Sequence, residues 1–252
     1  MVSVIIPTYN ESKNIVPLLE KVCPLADEVI VVDDNSPDGT GELATRFGGN
    51  VRTIIRPAKM GLSGAVLCGI KEARDDDVIV MDADFSHPPS VIPKIVASLR
   101  DHDIVIASRE KIVGWGAERH LASKVATLMA QVLFFGTKIG DPMSGFFGTK
   151  KSIIEQYEDR VSPRGYKVLF SVVKNYVRDY GYGRVASVDY TFVNRRFGDS
   201  KLSMNEIVDY LRSLVQVKTP KVRIPKIAFH VSPAISNNAM ATGYCSFIMR
   251  IL

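Results

Sequence analysis

The chain has 252 residues, 46% of them hydrophobic and 23% charged, with 32 Lys and Arg against 27 Asp and Glu for a net charge of +5. That length and apolar share fit one large domain, or one domain with an appendage, and allow a substantial core. The modest cationic excess and the lack of any basic run exclude a nucleic-acid coat and favour an anionic ligand or a membrane surface.

Strand and helix alternate along the first half. Predicted strands are Val2–Pro7, Glu28–Asp33, Val51–Ile55, Val78–Met81 and Ile104–Ala107. Between and after them, helices are predicted at Lys13–Val22, Gly41–Phe47, Leu62–Ala73, Ser90–Leu99 and Leu121–Phe134. This rhythm predicts an α/β fold with a mostly parallel sheet flanked by helices on both faces. The second half is less regular. A polar loop at Asp141-Pro142-Met143-Ser144-Gly145 leads into Phe146-Phe147, followed by a helix at Val168–Asp179 and a strand at Val185–Val193. Met204–Val217 reads as a helix with Ile207, Leu211, Leu214 and Val215 on one apolar face. That face suits docking onto the core or lying in a membrane interface, with Arg212 and Lys218 near lipid phosphates. Residues 1–220 therefore form one predicted α/β domain, and 221–252 a tail without clear periodicity. No signal core precedes the first strand, and Val231–Met249, though uncharged, is too polar for a membrane span. Cys23, Cys68 and Cys245 lack metal-ligand spacing and read as reduced thiols.

Asp82-Ala83-Asp84 carries the strongest chemical signal. Asp-x-Asp also occurs at Asp75/Asp77 and Asp101/Asp103, but those pairs precede apolar runs and read as solvated turns. Only the middle pair follows a strand, at the sheet edge where open α/β folds bind ligands. Two carboxylates leaving a strand on one face suit a divalent cation. The same edge is predicted to hold Pro7, Thr8, Tyr9, Asn10 and Glu11 after the first strand and Asp33, Asp34, Asn35 and Ser36 after the second. Tyr9 suits stacking on a base, and Glu11, Asp33 or Asp34 suit base N–H groups or ribose hydroxyls. Taken singly, these segments also read as a helix cap and a turn. The dinucleotide Gly-x-Gly-x-x-Gly turn and the P-loop are both absent. A second constellation is basic: Arg109 after the fifth strand, Arg119 and Ser123 near the next helix, and Arg195 and Lys201 after the last strand. Arg forks and helix N-termini match phosphate oxygens.

Six segments in order resemble the family 2 inverting glycosyltransferases with a GT-A fold, and within them the dolichol-phosphate mannose synthases. They are Val4–Glu11, Val32–Thr40, Met81–Pro89, Ser108-Arg109, Asp141–Phe146 and Arg195–Leu202. The resemblance implies a Rossmann-like GT-A catalytic domain that transfers mannose from GDP-mannose to dolichyl (polyprenyl) phosphate with inversion. It implies that Pro7, Tyr9, Glu11, Asp33, Asp34, Asp82, Ala83 and Asp84 bind the nucleotide sugar, and that Asp82 and Asp84 hold Mg²⁺ or Mn²⁺. Arg109, Arg119 and Ser123 are implied to bind the acceptor phosphate. Asp84, Arg195, Lys201 and Asp141 are implied to serve the transfer itself. Ser86 stands where some relatives carry Gln, leaving the third metal position to water. The implied setting is the cytoplasmic face of a membrane, reached peripherally through helix 204–217 or a small membrane-anchoring subunit. Alternatives are a polyprenyl-phosphate glucosyltransferase with a UDP donor and an inactive nucleotide-sugar-binding subunit.

Overall fold

The structure, a computed structural model, describes residues 1–113, 128, 139–142, 144–161 and 168–193. Strand β1 (Ser3–Thr8) and strand β2 (Glu28–Asp33) are buried at every position. They are the continuous apolar runs expected of parallel strands covered on both faces. With β3 (Val51–Ile55), β4 (Asp77–Val80), β5 (Ile104–Val113), β6 (Phe147–Lys150) and β7 (Val185–Val193), they form one sheet in the order β3-β2-β1-β4-β6-β5-β7. Strand β6 runs antiparallel to both neighbours, and every other pairing is parallel.

Alternation along the strands divides the core. Val4, Ile6, Val29, Val31 and Ile79 pack with Ile15, Leu18 and Leu19 of α1 (Ile15–Val22), Ala44 of α2 (Thr40–Phe47) and Ile92 and Ile95 of α4 (Ile92–Ser98). Each such buried Val, Leu or Ile side chain contributes roughly 1.5–3 kcal/mol. Helix α3 (Leu62–Glu72) lies on the opposite face, where a Cβ at Gly69 would fall 2.4 Å from Cγ2 of Ile5. Glycine is what lets that helix seat so closely. Helices α5 (Lys151–Tyr157) and α6 (Val168–Tyr180) pack against α3 and against each other.

The expected strands and helices of the first hundred residues are present within two residues or so at most ends. Three differences have physical causes. Strand β6 and helix α5 were not expected; Phe147-Gly148-Thr149-Lys150 is short, contains glycine and has no alternation strong enough to announce a strand. Strand β5 continues past Ala107 to Val113, because β7 pairs with it across Ser108, Arg109 and Lys111. A register shift between Arg109 and Lys111 absorbs Glu110 as a bulge. Finally, one acid of each outer pair, Asp77 and Asp103, is a structural tie, while Asp101 is an exposed turn residue as expected. Asp103 accepts two hydrogen bonds from Arg184 at 2.8 Å and one from the Tyr176 hydroxyl, while Asp77 pairs with Lys150 across the ladder.

The predicted helix at 204–217, the tail 221–252 and all of predicted helix 121–134 except Leu128 lie outside the described residues. Among the described residues no helix is long and apolar enough to cross a membrane. All of them fall within one compact unit, Met1–Ser200.

Candidate active site

The carboxyl ends of β1, β2 and β4 lie side by side, with β1 at the centre. This is the switch point where helices leave for opposite faces and a crevice opens. The loop entering β6 and the middle of β5 adjoin the same edge, since β6 runs the other way.

The first two loops are pinned to each other. Successive backbone N–H groups of Asn10, Glu11 and Ser12 donate to Ser36 Oγ, Thr40 Oγ1 and Asp38 Oδ2 at 2.9, 2.9 and 3.0 Å. Asn10 and Asn35 take positive φ, 59° and 57°, which Asn tolerates better than most residues. Asp33 stands beneath this brace. Its carboxylate accepts from Thr8 Oγ1 at 2.9 Å, from Ser36 Oγ at 2.6 Å and from the Ser36 N–H at 2.8 Å. Asp33 is 1% exposed, so the structure places it as an organiser of the loops. Asp38, by contrast, is at the surface. Burial pushes its carboxyl pKa up, yet hydrogen bonds from Thr40 and Ser12 outweigh that and hold it below the ordinary value.

Asp34 is held differently. Its Oδ1 accepts from Arg56 Nη1 at 2.6 Å and its Oδ2 from the Gly61 N–H at 2.8 Å, with both side chains under 10% exposed. The Arg56–Gly61 turn is thereby closed, and its Lys59 lies 3.9 Å over the Tyr9 ring. Tyr9 and Glu11 are half-buried at the mouth of this turn, with Glu11 accepting from Asn14 Nδ2 at 2.7 Å. Pro7 is buried at the end of β1 and lines a small cleft with Leu62, Val66, Asp82 and Gly145.

Asp82, Ala83 and Asp84 lie in the loop beyond β4, not on the strand, so pleat alternation does not aim them. The loop does so itself. The Asp82 N–H donates to Nδ1 of His87 at 2.9 Å, and the Ser86 N–H donates to Asp84 Oδ1 at 3.0 Å, with Phe85 at φ 63° between. A neutral imidazole accepting at Nδ1 carries its proton on Nε2, which is 3.7 Å from Asp82 Oδ2. His87 is 4% exposed and stacks on Phe146 at 5.0 Å. A Cβ at Gly145 would come 3.4 Å from Asp82 Oδ2, so glycine keeps that side of the carboxylate clear. Two hard carboxylates, Asp82 partly open and Asp84 buried, fit a divalent cation whose remaining ligands are substrate oxygens or water. Among the described residues no third His, Cys, Asp or Glu joins them.

Arg109 extends from β5 to Asp141, with Nε and Nη2 both 2.7 Å from Oδ2. Asp141 is 5% exposed. A buried carboxylate gripping the guanidinium on one side fixes which way its remaining N–H groups face. Tyr190 is the register partner of Arg109 on β7 and meets His87 and Phe146 edge-on at 6.1 and 5.8 Å. Burial first, and then the charges of Asp141, Asp82 and Asp84 against that of Arg109, push its phenol well above the ordinary range. It stays a protonated donor at any physiological pH.

Pro7, Tyr9, Glu11, Asp33, Asp34, Asp82, Ala83, Asp84, Arg109 and Asp141 are thus brought to one sheet edge. Arg119, Ser123, Arg195 and Lys201 lie outside the described residues. Sequence reading assigned no role to His87, Arg56, Tyr190 or the Ser36-Asp38-Thr40 brace. The short segment Asp82–His87 did carry a signal, because a histidine five residues from a candidate metal ligand can return to it within one turn.

Residues 3–158 match the family model for glycosyl transferase family 2. The chain is 38% identical over 239 residues to a dolichol-phosphate mannosyltransferase of Pyrococcus furiosus, covering 90% of this chain and 66% of that one. It is 37% identical over 233 residues to the Saccharomyces cerevisiae dolichol-phosphate mannosyltransferase, covering 85% of this chain and 86% of that one. The chain therefore spans just under two thirds of the archaeal relative and most of the yeast one. Among solved structures, Mycobacterium tuberculosis glucosyl-3-phosphoglycerate synthase in complex with Mn²⁺, UDP-glucose and phosphoglyceric acid has a TM-score of 0.67 at 20% identity, covering 85% of this chain and 77% of that one. A mycobacterial protein has a TM-score of 0.64 at 22% identity, covering 80% and 68%.

Proposed function

The chain belongs to glycosyl transferase family 2 and has the GT-A fold, and on that premise we propose that it transfers mannose from GDP-mannose to dolichyl (polyprenyl) phosphate with inversion. The observation that carries this reading is the closeness of two kinds of group at one sheet edge. An acid pair suited to a diphosphate-bound cation, Asp82 and Asp84, lies at the same sheet edge as an arginine braced for an anion, Arg109 on Asp141. The high identity to two dolichol-phosphate mannosyltransferases supports the same donor and acceptor.

In this reading an anionic oxygen of the acceptor phosphate attacks C1 of mannose from the face opposite the diphosphate. The new C1–O bond forms as the C1–O bond to the diphosphate breaks, and its electron pair leaves on GDP. The acceptor oxygen carries no proton near neutral pH, so the chain needs no strong general base. Its work is alignment and charge stabilisation. Asp82 and Asp84 would hold Mg²⁺ or Mn²⁺, which when bound offsets charge on the leaving diphosphate. Tyr9, Glu11, Asp34 and Pro7 shape the nucleoside end, with Asp33 keeping their loops in place. Arg109, oriented by Asp141, offsets repulsion between the two anions, with Arg119 and Ser123 assigned to the same phosphate and Arg195 and Lys201 to the diphosphate. Access to a lipid acceptor implies peripheral binding at the cytoplasmic face, through the segment 204–217 or a small anchoring subunit.

The test is a transfer assay on polyprenyl phosphate with radiolabelled GDP-mannose and UDP-glucose in parallel, with and without excess chelator. Label should enter the lipid fraction from GDP-mannose alone and vanish with chelator. Transfer from UDP-glucose alone would replace mannose by glucose, and full activity in chelator would remove the metal from the scheme.

A further inference from the structure

Tyr190 presents a polar atom that the fold leaves unanswered. The residue is 4% exposed, and its hydroxyl is buried without a hydrogen-bond partner among the described residues. Native interiors seldom leave a buried hydroxyl unpaired, and such exceptions call for an explanation. The ring is not loose, because the stacked pair Phe146 and His87 holds it edge-on and it belongs to the same buried core as Ile92 and Ile95 of α4. A phenylalanine would fill the same ring volume and avoid the orphaned oxygen. The surroundings of the hydroxyl are also unusual for an orphan. The charged groups acting on it are Arg109, Asp141, Asp82 and Asp84, the same groups that border the reaction site.

We infer that Tyr190 is a substrate-positioning residue whose hydroxyl donates to an anionic phosphate oxygen of a bound substrate, completing in the complex a hydrogen bond that the ligand-free fold lacks. A phosphate oxygen is the fitting acceptor. It is acceptor-only and anionic, and the two anionic groups of the proposed reaction, the donor diphosphate and the acceptor phosphate, meet beside Asp82, Asp84 and Arg109. The oxygen belongs to one of these two groups. The inference rests on the transferase reading above.

Tyr190→Phe removes the hydroxyl and little else. Initial rates are measured for wild type and variant while GDP-mannose and polyprenyl phosphate are varied in turn, together with thermal unfolding of the ligand-free proteins. Loss of one hydrogen bond to a charged group predicts a rise in one KM of about ten- to a hundredfold. The unfolding temperature should stay level or rise, since no native bond is lost. A rise in the GDP-mannose KM alone assigns the oxygen to the diphosphate, and a rise in the polyprenyl phosphate KM alone assigns it to the acceptor. KM values within twofold of wild type for both substrates would overturn the inference. So would a fall in unfolding temperature, which would place the hydroxyl's partner within the ligand-free fold. A wild-type protein inactive with both sugar donors would count against the transferase reading alone. In that event GDP with Mn²⁺ and a short polyprenyl phosphate are titrated into both proteins; weaker binding of one by the variant supports the inference, and equal binding of both overturns it.

Discussion

Asp33 and Asp34 are neighbours in sequence, yet burial and partners give them separate tasks. Asp33 accepts from Thr8 and Ser36, so it orders loops. Asp34 is closed in an ion pair with Arg56 and also tethers Gly61. Removing one member of a buried pair leaves an uncompensated charge, so Arg56→Met should destabilise the fold by about 3–5 kcal/mol. Urea unfolding measures this, and a cost under about 1 kcal/mol would mean that water reaches Asp34 in the folded state. His87 makes a comparable case beside the acid pair. Residues that orient metal ligands typically change metal affinity ten- to a hundredfold when altered. His87→Ala is therefore predicted to weaken Mn²⁺ binding by about that factor, as read by calorimetric titration, and unchanged affinity would reduce the Asp82–His87 bond to a loop detail. Asp84→Asn, by contrast, removes a ligand charge outright. It should lower transfer activity at least about a hundredfold with an unaltered circular dichroism spectrum, and wild-type turnover would argue against metal-assisted departure of the nucleotide.

At the scale of elements, what could be read from sequence followed from the length of each apolar run. Strands β1 and β2 hold the apolar runs Val4–Pro7 and Val29–Val32 bounded by polar residues, and α1 shows helical spacing of Ile15, Leu18, Leu19 and Val22. Strand β6 has neither property. It pairs antiparallel between β4 and β5, and its place depends on a glycine whose reason is visible only in three dimensions. A Cβ at Gly148 would lie 2.4 Å from Ile95 Cγ2 and 3.0 Å from Leu99 Cδ1, so α4 crosses the sheet over that gap. Alanine has the better strand propensity, but overpacking a filled core costs typically 1–3 kcal/mol, and the clash should win. Gly148→Ala is predicted to lower stability by about that amount in chemical unfolding; a neutral result would show that α4 can shift away. Site geometry follows the same division. The motif after β4 pointed to Asp82 and Asp84, whereas the brace from Asn10, Glu11 and Ser12 to Ser36, Thr40 and Asp38 joins loops 26 to 29 residues apart and leaves no local trace. Tyr190 was hidden likewise, being one aromatic in a strand already explained by its apolar pattern.

Across the whole molecule the two edges of the sheet carry different charge chemistry. The carboxyl edge gathers the candidate site. The opposite edge is tied by acids that serve the fold: Asp27 accepts from the Val2 N–H at 2.6 Å, Glu28 from Ser3 Oγ at 2.9 Å, and Asp103 from Arg184 and Tyr176. The hydrogen bonds from Arg184 foremost hold the Asp103 carboxyl below the ordinary carboxylate range, against the opposing effect of burial. Asp179 is lowered in the same sense by Arg178. A carboxyl with a folded-state pKa below its unfolded value stabilises the fold above the unfolded value, near pH 4, and loses that contribution as pH falls through the folded value. Stability should therefore be flat from pH 7 to about 5 and decline on further acidification. Asp103→Asn tests whether this edge is responsible. Arg184 is largely exposed, so the loss at pH 7 should be modest, about 1–2 kcal/mol. The variant's unfolding temperature should draw closer to that of wild type as pH falls through the lowered Asp103 value, because protonation then removes the charge that the variant lacks. Its Mn²⁺ affinity should stay at the wild-type value, because Asp103 lies at the far edge from Asp82 and Asp84. A variant that lost metal affinity in proportion to stability would show that the two edges are coupled through the sheet, and the separation of folding acids from site acids would fail.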